Sequence, residues 1–187
     1  VIIPSAGGSF TEVGGAASIT VPAGAVANGT AAAVGIVSVA TSGLPSPPAA
    51  ATEGAASGTF TFGSSAINVQ WYDATGAAQA TYSLNKSAEI CLPFTEDDIN
   101  GAAGGPDGLG IWRHNGTEWV SLNATANVGS GTVCGNASSF SFFALGLDVA
   151  APGAATGGSG GGDVSLPGTG GYTPTATTLM LMLMAGV

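Results

Sequence analysis

The sequence predicts an all-β protein, an antiparallel β-sandwich of roughly nine to eleven short strands with apolar extensions at its N- and C-termini. Three observations carry that expectation. Short runs rich in Val, Ile, Thr and aromatic residues alternate with Gly, Pro and Asn punctuation about every ten residues, the rhythm of a sandwich or barrel. One hairpin is spelled out: Leu109-Gly110-Ile111-Trp112-Arg113-His114 meets Asn115-Gly116 and continues as Thr117-Glu118-Trp119-Val120. Asn-Gly supplies the positive φ angles of a type I′ turn, and strand-forming residues flank it. Finally, 45% of the 187 residues are hydrophobic while only 7% are charged, against a typical charged share of about 25%. Enough apolar material is present for one core, and the surface must be built mostly from Ser, Thr, Asn, Gly and Ala.

Taken in order, strands are expected at 9–13, 16–21, 31–40, 58–63, 66–73, 78–84, 87–92, 109–114, 117–122, 130–134 and 140–147. The stretch Leu44-Pro45-Ser46-Pro47-Pro48 is expected to be a loop, because proline cannot donate to a ladder. Thr95-Glu96-Asp97-Asp98 reads as a short helix start, with Thr95 as N-cap and acids in the first turn, where the helix dipole favours them. Four zones follow. Residues 1–6, opening on Val1-Ile2-Ile3, are an N-terminal extension or a first strand, and 7–149 form the sandwich. A linker over 150–164 carries Gly157-Gly158-Ser159-Gly160-Gly161-Gly162 and is flexible by composition. An apolar tail occupies 165–187. The chain starts at Val1 without Met, which fits a mature product released from a signal peptide.

Charge excludes whole classes of partner. Lys86 and Arg113 are the only basic residues, set against eleven acids. No face can neutralise a run of phosphates, so nucleic acid is not a partner. So little charge also protects poorly against self-association, and further copies of the chain are the expected partner. Cys91 and Cys134 both lie in strand-like text. An even cysteine count in a secreted domain suggests a disulfide, the alternative being two buried thiols.

Gly7-Gly8, then Ser18-Ile19-Thr20-Val21-Pro22-Ala23-Gly24-Ala25-Val26 and the β-run that follows, resemble the opening of a ZU5-type domain. There a Gly-Gly strand precedes an apolar strand ending in Pro-x-Gly-Ala. The closing Ser138-Ser139-Phe140-Ser141-Phe142-Phe143-Ala144-Leu145 is similar to the last strand of such sandwiches in bacterial surface proteins. The resemblance covers about a third of the body and departs in the middle, cysteines included. It implies a structural or interaction module at a cell surface, without implying a strand order.

Leu166-Pro167-Gly168-Thr169-Gly170 matches the LPxTG sorting signal at every fixed position, after a spacer and before an apolar segment. The resemblance implies a sortase as partner, cleaving between Thr169 and Gly170 and passing the Thr169 carbonyl to an amine. The remainder departs from the pattern, because a sorting signal continues as a spanning helix and ends in Lys or Arg. A helix over 177–187 would reach only about 17 Å, against roughly 30 Å of hydrocarbon. Membrane contact is therefore expected only if the tail is truncated. Leu179, Met180, Leu181, Met182, Leu183 and Met184 are apolar on both faces if extended. They read in three ways: a strand or plug joining a neighbouring subunit, a truncated anchor, or a strand within the same fold.

Lys86, the only lysine, is a candidate covalent acceptor for a sortase-type linkage, or else a solubilising surface residue. Asn28, Asn85, Asn115, Asn123 and Asn136 stand in Asn-x-Ser/Thr sequons, five of eight asparagines, where roughly one or two would arise by chance. N-glycosylation would solubilise so uncharged a surface, although a Ser/Thr-rich strand protein also produces such matches.

The catalytic inventory is thin. His114 is the only histidine, so no His-based zinc cluster can be assembled. Gly157-Gly158-Ser159-Gly160-Gly161 fits the nucleophile-elbow expression but sits in linker text without a strand or helix around it. Glu96, Asp97, Asp98 and Asp107 lack a calcium-loop spacing. Trp71, Tyr72, Trp112 and Trp119 form either a sugar-binding platform or, more simply, cross-strand aromatic pairs. No catalytic residue, metal or cofactor is expected. The expected role is a non-enzymatic subunit of an extracellular surface structure or filament, joined through its terminal segments. The alternative is a sortase-anchored, adhesin-like binding module.

Overall fold

The computed structural model describes residues 2–3, 6–12, 15, 17–26, 32–48, 60–73, 75–79 and 83–149. Among them run twelve strands: β1 Ile2–Ile3, β2 Gly8–Thr11, β3 Ser18–Val21, β4 Ala32–Ser38, β5 Phe60–Tyr72, β6 Ala78–Gln79, β7 Ser83–Pro93, β8 Leu109–His114, β9 Trp119–Ser121, β10 Thr125–Asn127, β11 Thr132–Ser139 and β12 Phe142–Asp148. One α-helix, α1 (Glu96–Gly101), interrupts them between β7 and β8. The first sheet has the order β1-β4-β5-β12-β8-β9, with β6 also pairing β5, and the second has β10-β11-β7-β3-β2. Every pairing is antiparallel. The two sheets pack as a sandwich, as the sequence predicts.

Alternation builds the core between them. The second sheet turns Ile19, Val21, Ala88, Ile90, Leu92, Val133 and Ala137 inward, and the first answers with Val34, Ile67, Val69, Trp71, Ile111, Phe143 and Leu145, all in one buried cluster. Period-two geometry sends the intervening residues to the opposite faces. On the second sheet these are Thr20, Glu89 and Asn136, all exposed.

The first sheet is buried on its other face as well. Phe60, Ala66, Trp119 and Ala144 form a separate cluster there, joined by Val39, Leu44, Phe62, Trp112 and Phe142. The segment after β4 folds over it: its 3-10 turn, Thr41–Gly43, leads to Leu44, and the Pro45 carbonyl accepts a hydrogen bond from Trp119 Nε1 at 3.1 Å. This double burial explains why β12 is buried continuously from Phe143 to Leu147 instead of alternating. Gly146 is required at its centre, because a Cβ there would lie 2.3 Å from Trp112 Cδ1 and 2.8 Å from Phe60 Cδ2.

Several boundaries differ from the sequence expectation, each for a local reason. The runs at 58–63 and 66–73 form one strand, β5, because Gly63-Ser64-Ser65 is a bulge and not a turn: the four-residue step from Phe62 to Ala66 faces a two-residue step from Gly146 to Ala144. Likewise the break expected between 78–84 and 87–92 falls inside β7. There the five-residue step from Ser83 to Ala88 faces the two-residue step from Ala137 to Ser139. Such bulges bend a strand without ending it. β10 has no counterpart among the expected strands, because Thr125-Ala126-Asn127 carries no apolar alternation. Ile2–Ile3 takes the first-strand reading, pairing with Ala33 and Ala32 of β4.

The hairpin is present with a different turn. His114 pairs with Trp119, leaving a four-residue connection. A type I′ turn needs positive φ at both central residues, and here only Gly116 has it, at 104°. Asn115 instead uses its side chain, whose Oδ1 accepts hydrogen bonds from the backbone N–H groups of Thr117 and Glu118, both at 2.9 Å.

Candidate functional site

The cysteines form the expected disulfide, Cys91–Cys134. They are directly opposite residues of β7 and β11, with Cα atoms 4.1 Å apart, and their inward-facing neighbours Ile90, Leu92 and Val133 set them on the outer face of the second sheet. The bridge ties two strands of one sheet together and does not cross the core. It is compatible with an oxidising, extracellular setting. No helix among the described residues is long and apolar enough to cross a membrane.

Lys86 is exposed, in the bulge of β7. Its Nζ donates to the Ala23 carbonyl at 2.8 Å, and the neighbouring Asn85 N–H donates to the Ala25 carbonyl at 2.8 Å. The bulge is thereby fastened to the turn that closes Pro22-Ala23-Gly24-Ala25. The ammonium carries three donors, and the Ala23 carbonyl takes one. Arg113, the other basic residue, bonds the Ser139 hydroxyl.

Among the sequons, Asn85, Asn115, Asn123 and Asn136 are exposed. Asn123 is the one described non-glycine residue at positive φ, 49°, a conformation asparagine tolerates better than most. Asn28 lies outside the described residues. So do Leu166, Pro167, Gly168, Thr169 and Gly170, the apolar run Leu179, Met180, Leu181, Met182, Leu183 and Met184, and the linker from 150 to 164.

The four large aromatics separate. Trp71 is 2% exposed in the inter-sheet core and stacks on Phe140. Tyr72 borders Gly35. Trp112 and Trp119 lie on the outer face of the first sheet with Phe60 and Phe62. There Trp112 stacks on Phe60 at 4.2 Å and Trp119 meets both phenylalanines edge-on. His114 adds an edge contact to Trp119 at 5.2 Å. Trp112, Phe62, Phe142 and His114 remain partly accessible. Of the two sequence readings, a platform of all four does not form, and packing leaves Trp112 and Trp119 as a patch with phenylalanine partners.

Of the acids, Asp98 is the one buried charge among the described residues, 4% exposed. Its Oδ1 accepts from Ser64 N–H at 2.8 Å. Its Oδ2 accepts from the Ser64 hydroxyl at 2.5 Å, and from Thr95 N–H and the Thr95 hydroxyl at 2.8 Å each. Thr95 Oγ1 accepts from Asp98 N–H in turn, so the helix start is a capping box. Burial pushes the Asp98 carboxyl upward, but donors from Ser64 and Thr95 outweigh it and hold the group below the ordinary carboxylate range. Asp98 therefore clips α1 onto the bulge of β5. Asp73 is held low by the Thr75 hydroxyl and the Ala77 N–H in a surface turn. Glu96, Asp97 and Asp107 are exposed, and no group of three His, Cys, Asp or Glu side chains among the described residues could hold a metal.

No family model matches this chain, and no curated protein matches it.

Proposed function

We propose that the protein is a non-enzymatic structural subunit of an extracellular surface structure or filament, joined to its neighbours through terminal segments. The observation that carries this reading is the edge of the first sheet. The apolar N-terminal run occupies it as a strand, but β1 pairs only with Ala32 and Ala33. Farther along β4 no described strand lies on that side. Val37 is 60% exposed there, and the Ser38 N–H is satisfied by Glu12 Oε1 at 2.7 Å in place of a strand. An incompletely covered edge is a template for pairing with another chain, and the Leu179 to Met184 run has the apolar, extended-capable text of a strand that adds to such an edge. The disulfide, the sequons, the LPxTG-like motif and the ZU5-like opening fit an exported surface module.

Electron microscopy of the native material tests this: regular fibres containing the full chain are expected, and their loss on deleting 179–187. Uniformly monomeric full chain at high concentration overturns it. A covalent ladder that survives boiling in detergent and disappears in Lys86→Ala would identify the sortase-type route; a ladder unchanged in that variant removes Lys86 from it. The adhesin reading rests on the partly accessible Trp112 stacked over Phe60, and would be favoured by glycan binding of the full chain that Trp112→Ala abolishes.

A further inference from the structure

We propose that Asn115-Gly116 is a self-modifying site, assembled by the β8–β9 connection to convert Asn115 to aspartyl and isoaspartyl residues through an internal succinimide. Three Asn-Gly pairs occur in the chain, Asn28-Gly29, Asn100-Gly101 and Asn115-Gly116. Glycine lets the following amide nitrogen approach the asparagine side chain with no Cβ in the way. Asn28-Gly29 lies outside the described residues, and Asn100-Gly101 closes α1, where helical backbone holds it in place. Asn115-Gly116 stands in an exposed connection and is surrounded by the groups the reaction needs.

The nucleophile is the Gly116 backbone nitrogen, and its N–H donates to His114 Nδ1 at 3.3 Å. An imidazole nitrogen that accepts a hydrogen bond thus sits against the proton that must leave, at the outer edge of a general base's reach. The electrophile is Asn115 Cγ, whose Oδ1 already accepts from the N–H groups of Thr117 and Glu118, each at 2.9 Å. Those two donors stabilise the negative charge that gathers on Oδ1 as the tetrahedral intermediate forms, as backbone donors do in an oxyanion hole. His114 is itself positioned, by its edge contact with Trp119 at the last pair of the β8–β9 ladder.

The bonds balance without any oxidant or cofactor. Gly116 N loses its proton to His114 Nδ1 and bonds to Asn115 Cγ. The Cγ–Nδ2 bond breaks, the imidazolium returns the proton to the departing nitrogen, and ammonia leaves a five-membered succinimide. Solvent water then opens either carbonyl. The product adds one negative charge to a chain that already carries −9, beside the edge strand β9, and removes the Asn115 sequon. An isoaspartyl product also lengthens the main chain, breaking the Asn115 N–H to Glu118 carbonyl bond that closes the connection. None of this depends on how the chain assembles.

The test uses full-length protein made in a host without N-glycosylation, incubated at neutral pH and physiological temperature. Peptide mapping separates Asn, Asp and isoaspartyl at positions 100 and 115. Asn115 is expected to convert in the folded protein faster than Asn100, and faster than Asn115 itself in reduced, urea-unfolded chain. His114→Gln, which can still accept a hydrogen bond but is not basic, should slow Asn115 by about tenfold, below the buried general-base range because water competes at an exposed loop. His114→Phe keeps a ring against Trp119 and should slow it equally, with an unchanged near-ultraviolet circular dichroism spectrum confirming the fold. A folded rate no greater than the unfolded one, or a His114→Gln rate equal to wild type, overturns the proposal.

Discussion

Asp98 offers the sharpest test of how the fold is held. Replacing it with Asn keeps size and one acceptor oxygen but turns an NH2 group toward part of a shell made entirely of donors: Ser64 N–H and hydroxyl, Thr95 N–H and hydroxyl. At least one buried donor then loses its acceptor, at about 1–3 kcal/mol, and the charge-assisted character of the remaining bonds is lost. A destabilisation of about 3 kcal/mol is expected, equivalent to a fall in Tm of about 6–12 °C for a domain of this size. The pH dependence has a definite sign. Because the folded Asp98 carboxyl lies below its ordinary value of 3.8, the folded state binds its proton less readily than the unfolded chain. Its stabilisation is complete above the unfolded value and is lost as pH falls through the lower, folded one. Urea unfolding of wild type and Asp98→Asn from about pH 7 to about pH 2 reads the difference directly, cancelling the contribution of the other acids. The gap between them should be constant at neutral pH and close at the acid end. A gap under about 0.5 kcal/mol at neutral pH, or one that does not narrow in acid, would refute the account.

Two further outcomes follow from the packing. Breaking the Cys91–Cys134 bridge, which spans 43 residues, by a double Cys→Ser change should lower stability by about 4 kcal/mol on the chain-entropy estimate; equal urea midpoints for the oxidised and substituted proteins would contradict it. Gly146→Ala should cost about 2–3 kcal/mol, because its Cβ meets the Trp112 and Phe60 rings and overpacking strains a filled site; tryptophan fluorescence should shift as Trp112 is displaced, and an unshifted spectrum with unchanged stability would show that the outer-face cluster is looser than described.

Much of the fold was legible because short-range physics writes it into the text. The capping pattern at Thr95 needs only residues three apart, and both bonds of the box are present. Cys91 and Cys134 stand in strand-like text, and they pair across β7 and β11. Misread elements are those where punctuation had a tertiary purpose. Gly63-Ser64-Ser65 looks like a turn, yet Ser64 is the residue Asp98 grips from 34 positions away. Asn85-Lys86-Ser87 looks like another, yet it is a bulge leaning on the turn after β3. Asn115-Gly116 looked like a type I′ turn, and a side-chain bond of Asn115 to the backbone outcompeted that geometry. Of the site residues, the disulfide was readable from count and context. Asp98 reads as one of three first-turn acids, because nothing in the local text marks it as buried.

The sequence alone determined the class of the protein. Period-two patterning, turn residues and an apolar share sufficient for one core admit an antiparallel sandwich, and two basic residues among 187 give the surface little positive charge to set against phosphates. Tertiary structure decided which residues share a face. Trp71 and Trp112 carry the same chemistry in similar strand text, yet one fills the inter-sheet core and the other lies on the outer face under the segment after β4. Strand order and the second buried face arise from contacts between residues distant in the chain, whose energies depend on what each side chain meets and leave no local periodic trace. That is why the sandwich could be read from the text, while its strand order, its outer-face aromatic patch and the stretch of β4 edge that no described strand covers appear only once the sheets are assembled.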